Sequence, residues 1–419
     1  MPSKKIQKRK SVYLDHAATT PVREEVLDAM MPYFTEKFAN PSGIYAEALT
    51  VRRDVDDARK TIAQILGTQA DSIFFTSGGT ESCNTALFGV ARKNVSSGKH
   101  IITTKMEHHA VLHPMEKLEK EGYEITYLSP DKFGFVSAKQ VREALRPDTI
   151  LVSIMYANNE IGTVLPIADI GKEIIKWRKE NNIKYPYFHT DACQAGGVLD
   201  VSVEKLHVDL LTLNASKLYG PKGVGLLYKR RGVQVEQMMY GGGQEMKFRA
   251  GTENVPGIMG FAKALELAQK EKEEENARLI ELRNYFFAEL QKQIPKVKLN
   301  GAPLEGSDVR LPNNLNVSIL DIEGEAILLY LDEYGIMCST GSACTADSLD
   351  PSHVLISCSL SYEYAHGSIR FTLGRENTKE DIDYVMEHLP GIVEKLRKIS
   401  PVSLTEDPGK NIHPKYHQR

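Results

Sequence analysis

Short apolar runs alternate with longer amphipathic stretches across residues 72–228, and this alternation constrains the fold more than any other feature of the chain. Each run has the length of a buried strand, and each longer stretch has the length of a helix. The runs are residues 72–76, 100–104, 123–128, 149–156, 187–189, 210–213 and 225–228. Strands separated by helices predict an α/β fold with a mostly parallel sheet covered on both faces.

Polar residues follow five of these runs, near the points where the predicted strands end. They are Thr80, His108, Asn159, Asp191 and Lys217. Ligands bind beyond the carboxyl ends of the strands in open parallel sheets. We therefore expect these five side chains to border one site.

The chain beyond residue 253 predicts a long connecting helix and a second structural unit. Residues 253–293 are rich in helix formers and end just before Pro295. Two strand-like and two helix-like segments follow, at residues 315–320, 323–333, 368–372 and 379–398. This pattern predicts a smaller α+β domain, with a loosely held polar tail over residues 401–419.

The composition argues against several classes of function. The 419 residues include 52 basic and 55 acidic side chains, and a net charge of −3 provides no basic field for nucleic acid. The longest apolar runs, such as residues 150–155, are too short to cross a membrane. The basic first ten residues lack the apolar stretch of a secretory signal. We expect a cytoplasmic protein that binds neither nucleic acid nor membrane.

The cysteines indicate free thiols. They are Cys83, Cys193, Cys338, Cys344 and Cys358. An odd number without CxxC pairs or Cys/His clusters predicts neither a disulfide framework nor a zinc site. We therefore expect a reducing compartment and no bound metal.

Residues 77–82, with the sequence SGGTES, lie between a predicted strand and a predicted helix. Backbone N–H groups at such a helix start favour an anion, and the Thr80 hydroxyl adds a donor. Strand-to-helix turns also use glycine and threonine for structural reasons. Taken alone, this segment leaves a phosphate site and an ordinary turn equally open.

The role predicted for Lys217 depends on the residues expected on neighbouring strands of the sheet. On its own, a lysine between the run 210–213 and the Gly/Pro-rich turn 220–225 fits an exposed surface position. Asp191, however, lies at the end of another predicted strand, and the SGGTES turn follows a third. Pyridoxal phosphate (PLP) requires a phosphate anchor, a carboxylate for its ring nitrogen and an amine for its aldehyde. The combination favours a PLP site.

Several motifs extend this interpretation to most of the chain. They are YLDHAATTP at 13–21, TSGGTES at 76–82, EHHAV at 107–111, NNEIG at 158–162, GSACT at 341–345 and SIRFTLGR at 368–375. This set resembles the cysteine desulfurases of the class V aminotransferase family, in the housekeeping branch that serves iron–sulfur assembly. The resemblance reaches residue 400 and implies the PLP-dependent transferase fold of aspartate aminotransferase.

The resemblance also implies a division into domains. A large PLP-binding domain would span residues 20–275. Residues 1–19 and 276–400 would form a small domain that carries the catalytic-cysteine loop, and residues 401–419 would be a C-terminal tail. This tail departs from the family's usual ending, so docking of the usual partner stays open.

The resemblance implies roles around the cofactor ring. Lys217 would bind the cofactor covalently, Asp191 would pair with the pyridine nitrogen, and His108 would stack on the ring and assist proton transfer. Asn159 and Gln194 would bond the ring hydroxyl. The structural alternatives are a core histidine for His108 and a turn residue for Asn159.

The residues expected to bind the cofactor phosphate match the family pattern less completely. The resemblance implies that Gly79 and Thr80 hold the phosphate and that Thr252 reaches it from a partner subunit. Asn214 and Ser216 stand where the familiar pattern has serine and histidine. Both can hydrogen-bond a phosphate, but the histidine's positive charge is lost. Weaker cofactor binding is the expected consequence.

Cys344 lies in a segment of small and polar residues, 338–348, which is typical of a mobile loop. The resemblance makes Cys344 the thiol that receives the sulfur, whereas we expect the other four cysteines to be structural. It also implies that Arg370 binds the substrate carboxylate and that Asn40 is a second contact. A surface ion pair for Arg370 and an Asn-Pro turn at Asn40 are the structural alternatives.

The function implied is that of a homodimeric cysteine desulfurase, which converts L-cysteine to L-alanine and forms a persulfide on Cys344. The sulfur would go to acceptor proteins such as an iron–sulfur scaffold, and to other thio-cofactors or tRNA thiolation. Alternatives are a selenocysteine lyase, another class V lyase or aminotransferase, and an inactive paralogue that serves as an assembly platform. Cys344 argues against simple transamination, and its presence beside Lys217 and Asp191 argues against inactivity.

Overall fold

The computed structural model describes residues 10–305, 308–340 and 351–400. Cys344 and the tail over residues 401–419 lie outside these ranges.

Twelve strands occur in the described part of the chain. They are β1 (Val12–Tyr13), β2 (Ile73–Thr76), β3 (His100–Thr104), β4 (Glu124–Leu128), β5 (Thr149–Ser153), β6 (Tyr187–Asp191), β7 (Leu210–Asn214), β8 (Gly225–Lys229), β9 (Val297–Leu299), β10 (Asn314–Ile319), β11 (Ile336–Met337) and β12 (Ser368–Thr372).

Helices follow most of the strands. They are α1 (Glu24–Met30), α2 (Pro32–Thr35), α3 (Ala46–Leu66), α4 (Gly79–Lys93), α5 (His109–Lys120), α6 (Ala138–Ala144), α7 (Ile167–Asn181), α8 (Val203–Leu206), α9 (Gln244–Lys247), α10 (Val255–Gln293), α11 (Gly324–Asp332), α12 (His353–Ser357), α13 (Tyr362–His366) and α14 (Lys379–Ile399). Short 3-10 helices cover Ala70–Ser72 and Ala215–Lys217.

The large sheet has the order β2-β8-β7-β6-β5-β3-β4. Neighbours from β7 to β4 are parallel, which confirms the predicted α/β fold with a mostly parallel sheet. β8 is antiparallel to both β7 and β2, a reversal that the spacing of apolar runs did not predict. Two reversals cancel, so β2 runs in the same direction as β7. The carboxyl ends of β2, β6 and β7 therefore lie at one edge.

Both faces of the large sheet are buried. Successive residues of each central strand alternate between two apolar clusters, because side chains along a strand point to opposite faces. Ile102, Val152, Phe188 and Leu211 pack in one cluster, and Ile101, Leu151, Tyr187 and Leu210 pack in the other. Burial on both faces explains why these strands read as continuous apolar runs.

A second core surrounds a smaller antiparallel sheet of order β12-β10-β9 and the parallel pair β1-β11. The 39-residue helix α10 connects the two cores. Its first half packs Ile258 and Phe261 into the first core, and its second half packs Leu279 and Phe286 into the second. We propose that the domain division falls near residue 275, within this helix. No helix in the described ranges has the length and apolar character needed to cross a membrane.

A buried ion pair joins α3, β2 and α9. The Arg59 guanidinium donates to both carboxylate oxygens of Glu245 at 2.6 and 2.8 Å, and the Phe75 N–H donates to the same carboxylate at 2.7 Å. Both charged side chains are almost fully buried. Removing one partner of such a pair leaves the other charge in the core without compensation.

Replacement of Glu245 by Ala should therefore lower the free energy of unfolding by roughly 3–5 kcal/mol. Glu143, which forms an exposed pair with Lys139 on α6, supplies the control. Its replacement by Ala should change stability by less than about 1 kcal/mol. Urea denaturation measures both values, and equal losses in the two variants would contradict this account.

Candidate active site

The structure brings together the carboxyl ends of β2, β6 and β7. β2 leads into Gly79, β6 ends at Asp191, and β7 leads through a short 3-10 helix to Lys217. A Cβ atom on Gly79 would lie 2.8 Å from Cys193 Sγ and 3.6 Å from Asn214 Cβ. The start of α4 therefore packs directly against the segments that follow β6 and β7.

The Lys217 amine is held without a counter-charge. Its Nζ donates to the carbonyl oxygens of Ala17 and Ala18, at 2.8 and 2.5 Å. In the described ranges, Lys217 has no carboxylate within ion-pair distance. Burial lowers the pKa of Lys217, and the Arg370 charge acts in the same direction against the opposing effects of Cys193 and Asp191. A larger neutral fraction of this amine is therefore available at neutral pH.

Asp191 supplies a buried carboxylate on the neighbouring strand. One oxygen accepts the Cys193 N–H at 2.9 Å, and the other lies 3.7 Å from the Cys83 thiol, which donates to it. Burial raises the pKa of the Cys83 thiol, and the charge of Asp191 raises it further. Cys83 thus remains a neutral thiol that contacts Asp191.

The first turn of α4 forms a cradle for an anion. Gly78 precedes the helix, and no side chain caps its N-terminal N–H groups. Gly225 on β8 lies behind the turn, because a Cβ there would be 2.7 Å from the Gly78 Cα. Thr80 is exposed in this first turn. Uncapped N–H groups and the helix dipole favour a negatively charged group at this position.

His108 precedes α5 as its N-cap residue. Its Nδ1 accepts the Ala110 N–H at 3.0 Å, so the neutral ring carries its hydrogen on Nε2. Burial lowers the pKa of His108, with opposing contributions from Asp191, which raises it, and Lys217, which lowers it. Glu160, which raises the pKa, and His353, which lowers it, also act on this ring.

Gln194 and Asn159 occupy different positions relative to Lys217. The Gln194 side-chain amide donates to the Ala17 carbonyl at 3.0 Å, and the same carbonyl accepts from Lys217. Asn159 is half-buried, and its backbone carbonyl accepts from the Arg370 guanidinium at 3.0 Å. Gln194 thus lies beside the lysine, whereas Asn159 connects to the substrate-carboxylate residue proposed from the sequence.

The two residues that depart from the family pattern shape the 3-10 helix before Lys217. The Asn214 side-chain oxygen accepts the Ser216 N–H at 3.4 Å, as an N-cap does. The Ser216 carbonyl accepts from both the N–H and the hydroxyl of Thr20, at 2.9 and 3.1 Å. Ser216 is 8% exposed, and Asn214 is half-buried.

Arg370 is buried in β12 with part of its hydrogen-bonding capacity unused. One terminal nitrogen donates to Asp15 at 2.6 Å and the other donates to the Asn159 carbonyl. The side chain is 3% exposed, and its Nε has no hydrogen-bond partner in the described ranges. The structural alternative for Arg370 was a surface ion pair. The ion pair with Asp15 is present, but it is largely buried and not at the surface. Within the described ranges, the buried guanidinium therefore has one donor available for a further acceptor.

Asn40 and Thr252 lie on the surface of the single chain. The Asn40 side-chain oxygen accepts the Ser42 N–H at 2.9 Å, which is the turn considered as its structural alternative. Thr252 lines a surface cavity together with Ser77 and Gly223, on the outer side of the α4 turn. Neither residue has a described hydrogen bond to Lys217, Asp191 or Arg370.

The cysteines divide by burial. Cys83 and Cys358 are buried, whereas Cys193 and Cys338 are half-buried, and all four are free thiols. Burial is the largest cause that raises the pKa of each of these four thiols. All four are therefore poor nucleophiles at neutral pH.

Sequence reasoning assigned no role to two acidic residues near this site. Asp15 holds Arg370, and Glu107, which immediately precedes His108, is completely buried. Both lie within motifs that had been recognised, YLDHAATTP and EHHAV. The available signal was an acidic residue directly before a histidine in each motif, Asp15 before His16 and Glu107 before His108.

The residues present fit PLP. The uncapped turn of α4 suits a phosphate, Asp191 suits a protonated ring nitrogen, and Lys217 is a half-buried amine that binds carbonyl oxygens. A Cβ atom at position 79 would lie 2.8 Å from Cys193 Sγ, so a larger residue there would force the Cys193 side chain to move. No group of three or more potential metal ligands was found among the described residues.

Comparison with known proteins places the chain among relatives of almost the same length. A cysteine desulfurase IscS from Methanosarcina thermophila is 54% identical over 397 residues, which cover 95% of each chain. One from Dictyoglomus turgidum is 54% identical over 393 residues, which cover 94% of this chain and 97% of the relative.

Solved structures and a family profile agree with these relatives. The structure of a NifS-like protein superposes with a TM-score of 0.84 at 36% identity, covering 92% of this chain and 100% of its own. SspA in complex with cysteine superposes with a TM-score of 0.74 at 37% identity, covering 87% and 99%. The aminotransferase class-V profile matches residues 12–385. The chain therefore belongs to the class-V aminotransferase family and, within it, to the cysteine desulfurases.

Proposed function

We propose that this cysteine desulfurase uses PLP to transfer sulfur from L-cysteine to Cys344, and that it works as a homodimer which passes the sulfur to acceptor proteins. The observation that carries the proposal is the state of Lys217. This amine is half-buried, desolvation lowers its pKa, and it is held by two carbonyl oxygens close to Asp191. A charged lysine with only a structural role would pair with a carboxylate.

Each end of the site would hold one part of the cofactor. The α4 turn, with Gly79 and Thr80, would hold the phosphate, and Asp191 would hold the ring nitrogen. Asn214 ends β7 close to this turn and Ser216 follows it, and we propose that both support the phosphate. Bound in this way, PLP withdraws electrons from the α-carbon of an amino-acid substrate.

The chain supplies groups for proton transfer. The larger neutral fraction of Lys217 allows its Nζ to accept the α-proton of the substrate. His108 keeps its hydrogen on Nε2, because Nδ1 is engaged by the Ala110 N–H. We assign His108 to stacking on the cofactor ring and to proton transfer from Nε2. Gln194 and Asn159 would contact the ring hydroxyl.

Arg370 would bind the substrate carboxylate. Its unused Nε, its burial and its fixed position between Asp15 and the Asn159 carbonyl support this assignment. The pair with Asp15 holds the guanidinium plane, so that the remaining donors are oriented before the substrate arrives. Asn40 would be the second contact with the carboxylate.

Cys344 would accept the sulfur. Its thiolate attacks the sulfur atom of the bound cysteine, an S–S bond forms, and the C–S bond breaks. The electron pair stays on the carbon skeleton, which gains a proton and leaves as alanine. The persulfide remains on Cys344 for an acceptor. A simple aminotransferase needs no thiol in this role, and a selenocysteine lyase would act on the selenium substrate instead.

An exposed apolar surface supports the homodimer. It consists of the large apolar side chains of the α1–α3 region, Leu27, Met31, Phe34, Phe38, Ile44, Tyr45 and Leu49, each more than 40% exposed. A cavity lined by Ser42 and Met246 joins this region to α9, close to Asn40. A second copy of the chain is the proposed occupant, because a patch of this kind is costly to leave in water. Thr252 would then reach the phosphate of the partner's site.

The acceptors and the compartment remain proposals as well. We propose that the sulfur goes to an iron–sulfur scaffold protein, to other thio-cofactors or to tRNA thiolation. The cysteine desulfurase relatives support sulfur transfer in general. We also propose a cytoplasmic location, where free thiols persist.

Replacement of Lys217 by Ala should abolish the covalent attachment of PLP and reduce alanine formation by at least about a thousandfold. Borohydride reduction followed by peptide mass spectrometry should find the cofactor on Lys217 in the wild-type protein. Lys222 is an exposed lysine five residues away and supplies the control, since its replacement by Ala should leave attachment unchanged. A cofactor adduct on another lysine in the wild-type protein would contradict the assignment.

Replacement of Cys344 by Ser should leave PLP binding intact and almost stop the release of alanine, because an unionised hydroxyl is a much weaker nucleophile. Mass spectrometry after brief exposure to L-cysteine should find one additional sulfur atom on Cys344. Replacement of Cys358 by Ser is the control and should preserve activity. Equal amounts of alanine and sulfide in the presence of a reductant separate this function from transamination and from an inactive platform. A Cys344→Ser variant with full activity would overturn the proposed mechanism.

Replacement of Ile44 by Asp should produce monomers at micromolar concentration, because Ile44 is the most exposed side chain of the apolar surface, at 92%, and a charge there would have to be buried in the dimer. Sedimentation velocity measures the change. Leu329 on α11 is 74% exposed and lies outside this surface, so its replacement by Asp should leave the dimer intact. A wild-type protein that sediments only as an active monomer would refute the proposed dimer.

A further inference from the structure

A second carboxyl group lies buried near Asp191, and the proposed chemistry does not use it. Glu107 is 0% exposed. Its Oε1 accepts two hydrogen bonds, from the Thr104 hydroxyl at 3.0 Å and from the Met155 N–H at 2.8 Å. Its Oε2 has no hydrogen-bond partner in the described ranges. One oxygen therefore acts as a double acceptor, and the other is free to carry a proton.

The groups that face Glu107 come from four elements. Asp191 ends β6 and carries the negative charge that acts on Glu107, and Cys83 of α4 is affected by both carboxyl groups. His108 follows Glu107 directly at the start of α5. His353 of α12 donates from Nε2 to the Glu107 backbone carbonyl at 3.0 Å. No cationic side chain is in ion-pair contact with this carboxyl group among the described residues.

The protonation state of Glu107 follows from this environment. Burial, and to a smaller extent the charge of Asp191, raise the pKa of Glu107 from its usual 4.5 to about 8. The hydrogen bonds from Met155 and Thr104 oppose the shift and are too weak to reverse it. At pH 7 the group is a neutral acid that is hydrogen-bonded through Oε1.

The same residue fixes the backbone that presents His108. The Glu107 side chain connects the end of β3 to the residues that follow β5, through Thr104 and Met155. Asn158 holds the adjacent carbonyl of Met106 at 2.9 Å. The short segment between β3 and α5 is thus held from both sides, and His108 is its last residue.

We propose that Glu107 is a positioning residue, which acts as a neutral buried acid to fix His108 in the cofactor site and leaves Asp191 as the local negative charge. The assignment to a cofactor site rests on the proposed function. A second anion this close to Asp191 would compete for the proton that the ring nitrogen must keep. A neutral acid provides the same hydrogen bonds without that competition.

The first test uses Glu107→Gln, since an amide has the shape of the neutral acid and cannot ionise. In the wild-type protein, the folded state retains the Glu107 proton between pH 4.5 and 8, while the unfolded state has released it. The contribution of this group to stability is therefore present below pH 4.5 and is lost as pH rises to 8. The melting temperature of the variant should rise relative to wild type across this range. A difference that stays constant from pH 5 to pH 8 would overturn the proposal.

Glu245→Gln is the matched control for this measurement. Glu245 is also buried, but it is paired with Arg59, so loss of its charge leaves a buried cation uncompensated. This variant should be less stable than wild type at pH 7, whereas Glu107→Gln should be at least as stable. Destabilisation of both variants to the same degree would show that Glu107 is ionised.

The second test measures PLP binding to the apo-protein by absorbance titration. Glu107→Gln should bind PLP within about twofold of wild type, whereas Glu107→Ala should bind about tenfold more weakly, because the Thr104 hydroxyl and the Met155 N–H lose their acceptor. Equal weakening in the two variants would contradict the positioning role. The melting experiment needs no cofactor. A wild-type protein that fails to bind PLP would therefore count against the proposed function, while the pH dependence still decides the state of Glu107.

Discussion

The partial burial of one amine that has no carboxylate partner in the described ranges is the constraint around which the site is organised. Lys217 lies just beyond the buried strand β7, where desolvation disfavours its charge, and within the described ranges its amine donates to the Ala17 and Ala18 carbonyls. Such a group is costly unless its charge is removed or a ligand uses it. The sheet edge holds the amine in surroundings that favour its neutral form more than water does.

The segment that holds the amine also joins the two cores. Residues 12–20 begin with β1 of the smaller unit, and the Ala17 and Ala18 carbonyls in this segment hold Lys217 in the larger one. Asp15, within the same segment, forms the buried pair with Arg370 on β12. The proposed covalent anchor and the proposed substrate-carboxylate residue are therefore fixed by one stretch of chain. The distance between Lys217 and Arg370 is therefore set by direct contacts with this segment.

The sequence predicted the mostly parallel sheet, because a strand that is buried on both faces of a sheet consists largely of apolar residues, as residues 210–213 do. It also predicted a long helix over residues 253–293, which the structure has at Val255–Gln293, since helix formers continue without glycine or proline from Phe261 to Gln293. The reversed direction of β8 left no local signal, because strand direction depends on chain connections. Thr252 could be connected to the site only through the family resemblance, since its proposed role depends on a second subunit.

Glu107 shows why residue type alone does not define charge at this site. Glu107 and Asp191 are both acidic and buried near each other, yet their surroundings differ. Asp191 accepts a backbone N–H on one oxygen and a thiol on the other, so both oxygens are stabilised. In Glu107, by contrast, a single carboxyl oxygen accepts both hydrogen bonds, from Thr104 and Met155, and the other oxygen has no partner in the described ranges. Burial and the charge of Asp191 both raise the pKa of Glu107, so Glu107 keeps its proton more readily than an exposed glutamate does. The surroundings thus distinguish the acid that we propose for the cofactor from the acid that holds the backbone before His108.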